Sequence, residues 1–344
     1  MNERKATQEQ YIQFLIASQG SFSSVEAARV QQQTAGAPAH DSFTRLLSEL
    51  EPDPARLWLE AEPLIDKAAE GILVLDDSTL DKPHARHIEL VGWHFSGKHK
   101  EVVKGINLVT LLWTDGDRHV PVDYRIYKKG GPTKNDLFRE MLLQAHARGL
   151  APRCVCFDSW YASVENLKAI RGLGWTFLTR LKRNRRVRQG LERVRLEDAV
   201  VPEAGAVLSL TGYGPVKVFR ADPRDGDAEH RHWATNDEGM RPLGWLRWAE
   251  WSWRIEEYHR GLKQHCGAEG CQARSEKAQR NHIGMSIRAF LRLAAWCWGR
   301  WTTWFEAKTD IVRGAVRAYL ASPWITLEAC ASPPLAVLPL NRCA

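Results

Sequence analysis

Apolar positions in the first seventy residues recur at helical spacing. Gln8–Ala17 carries Tyr11, Ile12, Phe14, Leu15 and Ile16, which crowd one side of a helix. Ser24 is placed to cap a second helix, Val25 to Gln32, with Glu26 in its first turn, and Gly36-Ala37-Pro38 breaks it. Asp41 or Ser42 would cap a third, through Phe43, Leu46, Leu47 and Leu50. Pro54 suits the first turn of a fourth, through Leu57, Trp58, Leu64 and Ile65. The second and third helices, across their break, fit either a helix-turn-helix unit or a small helical bundle.

At Gly71 the period changes. Ile72-Leu73-Val74-Leu75 is wholly apolar and stops at Asp76-Asp77, the pattern of a buried central strand ending at a functional edge. Val102–Trp113 is rich in β-formers, Asp115-Gly116 makes a hairpin turn, and His119–Ile126 alternates as the partner strand. Lys134–Arg148 returns to helical spacing and Gly149 ends it. Val155-Cys156-Phe157 is a second buried strand stopping at an acid, Asp158. A helix over Val164–Leu173 and a strand over Trp175–Leu178 follow. This order predicts an α/β fold: a mixed sheet with flanking helices. Residues 184–240, rich in Gly, Pro and charge, read as a β-rich insertion with short strands at Ala206–Leu210 and Val216–Arg220. Helix resumes at Arg247–Gln264 and Ala278–Trp301. The expected division is an N-terminal helical domain over 1–70, an α/β core over 71–183 and 241–325, the insertion, and a tail over 326–344.

Charge is unevenly spread over this framework. The 344 residues carry a net +7, yet residues 1–70 hold six basic and 11 acidic side chains, so the rest of the chain is strongly basic. Arg180, Lys182, Arg183, Arg185, Arg186, Arg188, Arg193 and Arg195 stand against Glu192 alone. Such a block is a solvated face or a polyanion contact, and nucleic acid is the polyanion it suits. Lys98, Lys100 and Lys104, beside His99, form a smaller group of the same kind. No apolar run approaches the ~20 residues of a membrane span, and no apolar signal core follows the polar N-terminus, so a cytoplasmic protein is expected. Seven cysteines in a chain of this size do not suggest a disulfide scaffold, and no Cys-x-x-Cys supports a zinc site. No phosphate-binding ATPase loop is present, and Asp158-Ser159 lacks the glycines of a nucleophile elbow.

The chemistry lies elsewhere. Asp77 and Asp158, at strand ends, are the kind of rigidly held carboxylates that bind a hard cation. A third acid comes from Trp253-Arg254-Ile255-Glu256-Glu257-Tyr258-His259-Arg260-Gly261-Leu262-Lys263, where Glu256, His259, Arg260 and Lys263 share one helix face. Glu256 and Lys263, six residues between them, resemble part of the Y-(2)-R-(3)-E-(6)-K signature of insertion-sequence transposases of the DDE superfamily. LDDSTLDKP (Leu75–Pro83), VVKGINLVTLLW (Val102–Trp113), VDYRIY (Val122–Tyr127), CFDSWYAS (Cys156–Ser163) and RNHI (Arg280–Ile283) are similar to the insertion sequence 701 family, in the insertion-sequence-4-like group. The likeness runs from about Gln8 to Pro323.

The resemblance implies a ribonuclease-H-like core and a DNA transposase. Asp77, with Asp76 as the fallback, Asp158 and Glu256 would be the catalytic acids, holding two Mg²⁺ or Mn²⁺ ions. Tyr258, His259, Arg260 and Lys263 would lie against the DNA end. Arg180, Lys182, Arg183, Arg185, Arg186, Arg188 and Lys104 would track its backbone. The expected partners are the element's terminal inverted repeats and target DNA, bound by a homodimer in a synaptic complex associated with the bacterial nucleoid. A nuclease without strand transfer, or a silent domesticated DNA-binding protein, remain alternatives. The chain departs from the signature at Ala249 and Ser252, where it asks for Tyr and Arg.

Overall fold

The computed structural model describes residues 5–325 apart from 33, 35, 67–69, 98 and 222–229, so Lys98 and the tail over 326–344 lie outside the described residues. The chain opens with α1 (Gln8–Ala17), α2 (Ser24–Arg29), α3 (His40–Glu49) and α4 (Ala55–Ala61). Thr7 and Gln10 close a capping box on α1. Ser23, one residue before the expected cap, accepts from the Glu26 N–H to start α2, which ends at Arg29 and not at Gln32. Neither Asp41 nor Ser42 caps α3. The helix starts earlier, after the extended Ala39, and Ser42 turns inward to accept the Ala6 N–H at 2.9 Å.

The sheet is built from β1 (Ile72–Asp81), β2 (Gly92–Ser96), β3 (Glu101–Thr114), β4 (His119–Tyr127), α5 (Lys134–Ala147), β5 (Val155–Phe157), α6 (Val164–Gly172) and β6 (Phe177–Leu181). β3 pairs antiparallel with β1 along one edge and with β2 and then β4 along the other. β5 lies parallel to β1, and β6 parallel to β5. The order β4-β3-β1-β5-β6, three antiparallel strands and then two parallel to the first, is the ribonuclease-H-like arrangement. β1 does not stop at Asp76-Asp77. Because β3 is 14 residues long, it continues the ladder as far as Asp81 opposite Gly105.

Past β6 come β7 (Arg186–Gln189), β8 (Glu192–Arg195), β9 (Ala206–Leu210), β10 (Gly214–Ala221) and β11 (Arg231–Thr235). β11 pairs antiparallel with β6, and β10, β9, β7 and β8 follow outward, so the inserted strands prolong the core sheet.

Four helices complete the described residues: α7 (Pro242–Ser252), α8 (Arg254–His265), α9 (Glu276–Cys297) and α10 (Trp304–Ala321). The single helix expected over Arg247–Gln264 is two. At Trp253 the ladder tightens to i−3 bonds, from its N–H to the Glu250 carbonyl and from the Glu256 N–H to its own carbonyl, and this breaks the helix before Glu256. α9 stops at Cys297, short of Trp301, where Trp298 turns extended, and α10 lies beyond any expected element. α9 is the axle of the molecule. Tyr11 Oη meets His282 Nδ1 at 3.0 Å, Asn281 donates to the Leu47 and Leu50 carbonyls, and Arg288 and Arg292 pair with Glu60. α8 approaches α9 and α10 so closely that a Cβ on Gly261 would meet the Trp304 ring at 2.6 Å and the Phe290 ring at 2.7 Å. No helix among the described residues is long and apolar enough to cross a membrane.

Candidate active site

Two adjacent strands and one helix bring acids to one place. The parallel register sets Leu75 beside Phe157, so the residues that follow, Asp76 and Asp158, sit side by side. α7 and α8 pack across β1, and the break at Trp253 points the first turn of α8 at Asp76. Asp76, Asp158 and Glu256 line one cleft of about 960 Å³, with Arg180, Arg231, Trp233, Trp245 and Trp253 among its walls. Ligand atoms of Asp76, Glu256 and His259 lie within 4.8 Å of one another. The Asp158 carboxylate lines the same cleft, accepting from the Ser159 N–H and from Arg180 at 3.1 Å.

Successive strand residues face opposite sides of a sheet, which separates Asp76 from Asp77. Asp77 faces α5. Its Oδ2 accepts from Lys134 Nζ at 2.6 Å and Asn107 Nδ2 at 2.7 Å, and its Oδ1 accepts from Tyr161 Oη at 2.7 Å. Lys134 is itself held over the rings of Tyr127 and Trp160. The structure therefore brings Asp76, and not Asp77, to Glu256. Asp77 is a saturated carboxylate behind the cleft.

The electrostatics divide in the same way. Burial, then the neighbouring Asp77, Glu256 and Asp158 carboxylates, push the Asp76 carboxyl well above its usual range. For Asp77, burial also opposes ionisation, but Lys134 and the three hydrogen-bond donors outweigh it and hold the carboxyl below its usual range. Burial, with Lys263 adding to it, lowers His259 to about 3 and keeps its imidazole neutral.

The other expected contacts scatter. Tyr258 is fully buried with its ring edge-on to Phe290 at 5.0 Å, so it is a core residue and cannot meet DNA. His259 is 5% exposed and faces the acids. Lys263 reaches inward, donating to the Thr79 carbonyl at 2.6 Å and pairing with Glu269 at 3.3 Å, which takes it off the DNA-facing surface. Lys104 likewise turns inward to the Ala85 carbonyl. Of the four residues of α8 expected to meet DNA only Arg260 is exposed, and it lines a separate hollow with His119 and Trp304. Lys182, Arg183, Arg186 and Arg188 are exposed, Arg185 is half-buried, and Arg180 stands at the cleft beside Asp158. Ala249 and Ser252 both line the cleft, so the departures from the signature fall where its Tyr and Arg would have stood.

Glu257 was not anticipated. It accepts from His119 at 3.0 Å and Arg254 at 2.9 Å, while Arg254 donates to the Gly116 carbonyl at 2.8 Å, clamping the start of α8 to the β3–β4 turn. The three-residue spacing of Arg254 and Glu257 was readable, but His119 is 138 residues away. The choice between the two aspartates was readable in principle from strand alternation, once α8 was known to cover the Asp76 side.

The family model described as the transposase DDE domain matches residues 67–292. No curated protein matches the sequence. Among solved structures, the piggyBac transposase synaptic complex with hairpin DNA is similar at 11% identity with a TM-score of 0.49, covering 95% of this chain and 74% of that one. The Mos1 strand transfer complex is similar at 10% identity with a TM-score of 0.20, over 52% of this chain and 59% of that one. The mariner Mos1 paired end complex with Mg gives 10% and 0.20, over 51% and 59%.

Proposed function

The chain belongs to the transposase DDE domain family, and from that premise we propose that it cuts DNA at the ends of a mobile element and joins those ends to target DNA. The observation that carries this reading is the convergence of Asp76, Asp158 and Glu256, from β1, the turn after β5 and α8, on one open cleft. These acids fit a divalent cation. The donors are oxygen-rich, and burial, together with the neighbouring Asp77, Glu256 and Asp158 carboxylates, makes the Asp76 anion costly without a cation beside it. Mg²⁺ or Mn²⁺, two ions by family resemblance, would supply charge neutralisation at the scissile phosphate and an activated oxygen nucleophile.

The chain's own residues do the rest. Asp76, Asp158 and Glu256 hold the cations. Lys134, Asn107 and Tyr161, through Asp77, fix the stretch of β1 that presents Asp76. Glu257 fixes α8. Arg180, Lys182, Arg183, Arg186 and Arg188 run from the cleft along the inserted strands, on a path suited to a DNA backbone. The finer placing in the insertion sequence 701 family follows from the five ordered motifs. Homodimeric synapsis of element ends and residence at the nucleoid follow from the same reading.

The test gives purified protein Mn²⁺ at low salt and a duplex carrying the element end with its flanking DNA, beside Asp76→Asn and Glu256→Gln. Wild type should nick the duplex, and either variant should fall by at least about 1,000-fold. Joined products distinguish a transposase from a nuclease. Binding without nicking by all three proteins would overturn the enzyme in favour of a silent DNA-binding protein.

A further inference from the structure

His259 is a buried polar group that the proposed chemistry leaves unused. It sits one helical turn beyond Glu256, so the two side chains project from the same face of α8. One of its ring nitrogens lies within 4.8 Å of carboxylate oxygens of both Asp76 and Glu256. The residue is 5% exposed, and its Nε2 is buried with no hydrogen-bond partner. An imidazole nitrogen buried in this state is unfavourable unless something fills its lone pair or takes its proton. A neutral imidazole offers a cation one nitrogen lone pair. A Glu-x-x-His pair on one helix, facing carboxylates from other elements, is also the donor arrangement that holds iron and manganese in carboxylate-bridged helical sites.

We propose that His259 is a nitrogen ligand in the acid site, completing a set with Asp76 and Glu256 and biasing that site towards Mn²⁺ over Mg²⁺. The inference rests on the functional reading above and deepens it by naming the preferred class of cation. An all-oxygen set suits Mg²⁺, which dehydrates reluctantly and takes few protein ligands. One imidazole in the set favours the first-row transition ions, among which Mn²⁺ still accepts carboxylates readily. Lys263, one turn further on, is held away by the Thr79 carbonyl and Glu269, so its ammonium does not take the cation's place.

The experiment uses the full chain with histidine labelled by ¹⁵N and bound Mn²⁺ observed by pulsed electron paramagnetic resonance, without DNA or turnover. Wild type should show nitrogen hyperfine coupling that changes with the histidine label. His259→Gln should lose that coupling, bind Mn²⁺ about 10-fold or more weakly by calorimetry, and lose much less affinity for Mg²⁺. Wild-type Mn²⁺ without histidine coupling would overturn the proposal whether or not the variant folds. Asp76→Asn separates the two readings. If it weakens Mn²⁺ binding while the histidine coupling is absent in wild type, the carboxylate site stands and His259 is no ligand. If it leaves Mn²⁺ binding unchanged, both readings fall.

Discussion

On the α8 side of β1, Asp76 faces other carboxylates. On the α5 side, one residue later, Asp77 faces an ammonium, an amide and a phenol. The two acids share a strand and differ only in which way the pleat turns them. One is destabilised as an anion and the other is held as one. A carboxylate whose neighbours already neutralise it has little left to offer a cation, whereas one crowded by like charge gains most from binding one. The crowded carboxylates thus mark the face suited to a cation, and the satisfied ion pair marks the frame.

The largest expected effect breaks this comparison most directly. Asp76→Asn should remove DNA cleavage, by about 1,000-fold or more, with the fold intact by circular dichroism. If Asp77→Asn instead abolished cleavage without loss of stability, the assignment of faces would be wrong.

Stability should move the other way. Asp77→Asn strands the largely buried Lys134 ammonium, and loss of one partner from such a pair costs about 3 kcal/mol. The melting temperature should fall by several degrees in a thermal scan. In the metal-free protein, Asp76→Asn should raise it at pH 8.

The pH dependence sharpens that contrast. Asp77 has a lowered folded value, so its stabilisation is present above its ordinary 3.8 and is lost as pH falls through the lower folded value. The gap between wild type and Asp77→Asn should therefore close below about pH 4. Asp76 has a raised folded value, so its contribution is present below 3.8 and is lost as pH rises through the folded value. The advantage of Asp76→Asn should therefore grow from pH 4 to pH 8 with a chelator present, and added Mn²⁺ should reverse it by stabilising wild type alone.

The smallest effects belong to the basic strands. Arg180 and Asp158 are each about two-fifths exposed, and a pair so open to solvent contributes between 0 and about 1 kcal/mol. Arg180→Ala should leave the melting temperature nearly unchanged. Alanine at exposed Arg183, Arg186 or Arg188 should weaken DNA binding uniformly and lower the slope of log affinity against log salt by about 1 each. An unchanged slope would take the inserted strands off the DNA path.

The core elements were legible because their signals are local. The apolar runs Ile72–Leu75 and Val155–Phe157 cannot be solvent-facing, and both became central strands. The helix around Glu256 was legible from its spacing, as was the one from Lys134, to which the structure adds a Thr133 capping box. Helix boundaries slipped where a tertiary contact decided them: the tight bonds at Trp253 split a continuous pattern, and Ser42 left its capping role to bind Ala6. The face of Glu256, His259, Arg260 and Lys263 is a real helix face, but spacing says nothing of what lies opposite. Across from it stand Asp76, the Thr79 carbonyl and Glu269, so His259 and Lys263 turn to the interior.

The sequence by itself determined the α/β class, the strand and helix that carry the acids, and the presence of acids at Asp76-Asp77, Asp158 and Glu256. Each of these depends on period and residue type within a short window. Only the tertiary structure decided which aspartate faces the cleft, that the inserted strands prolong the core sheet, and that Tyr258 is core while His259 meets the carboxylates. Those outcomes depend on which element packs on which face, and that choice is made between residues tens to hundreds of positions apart, where local pattern carries no information.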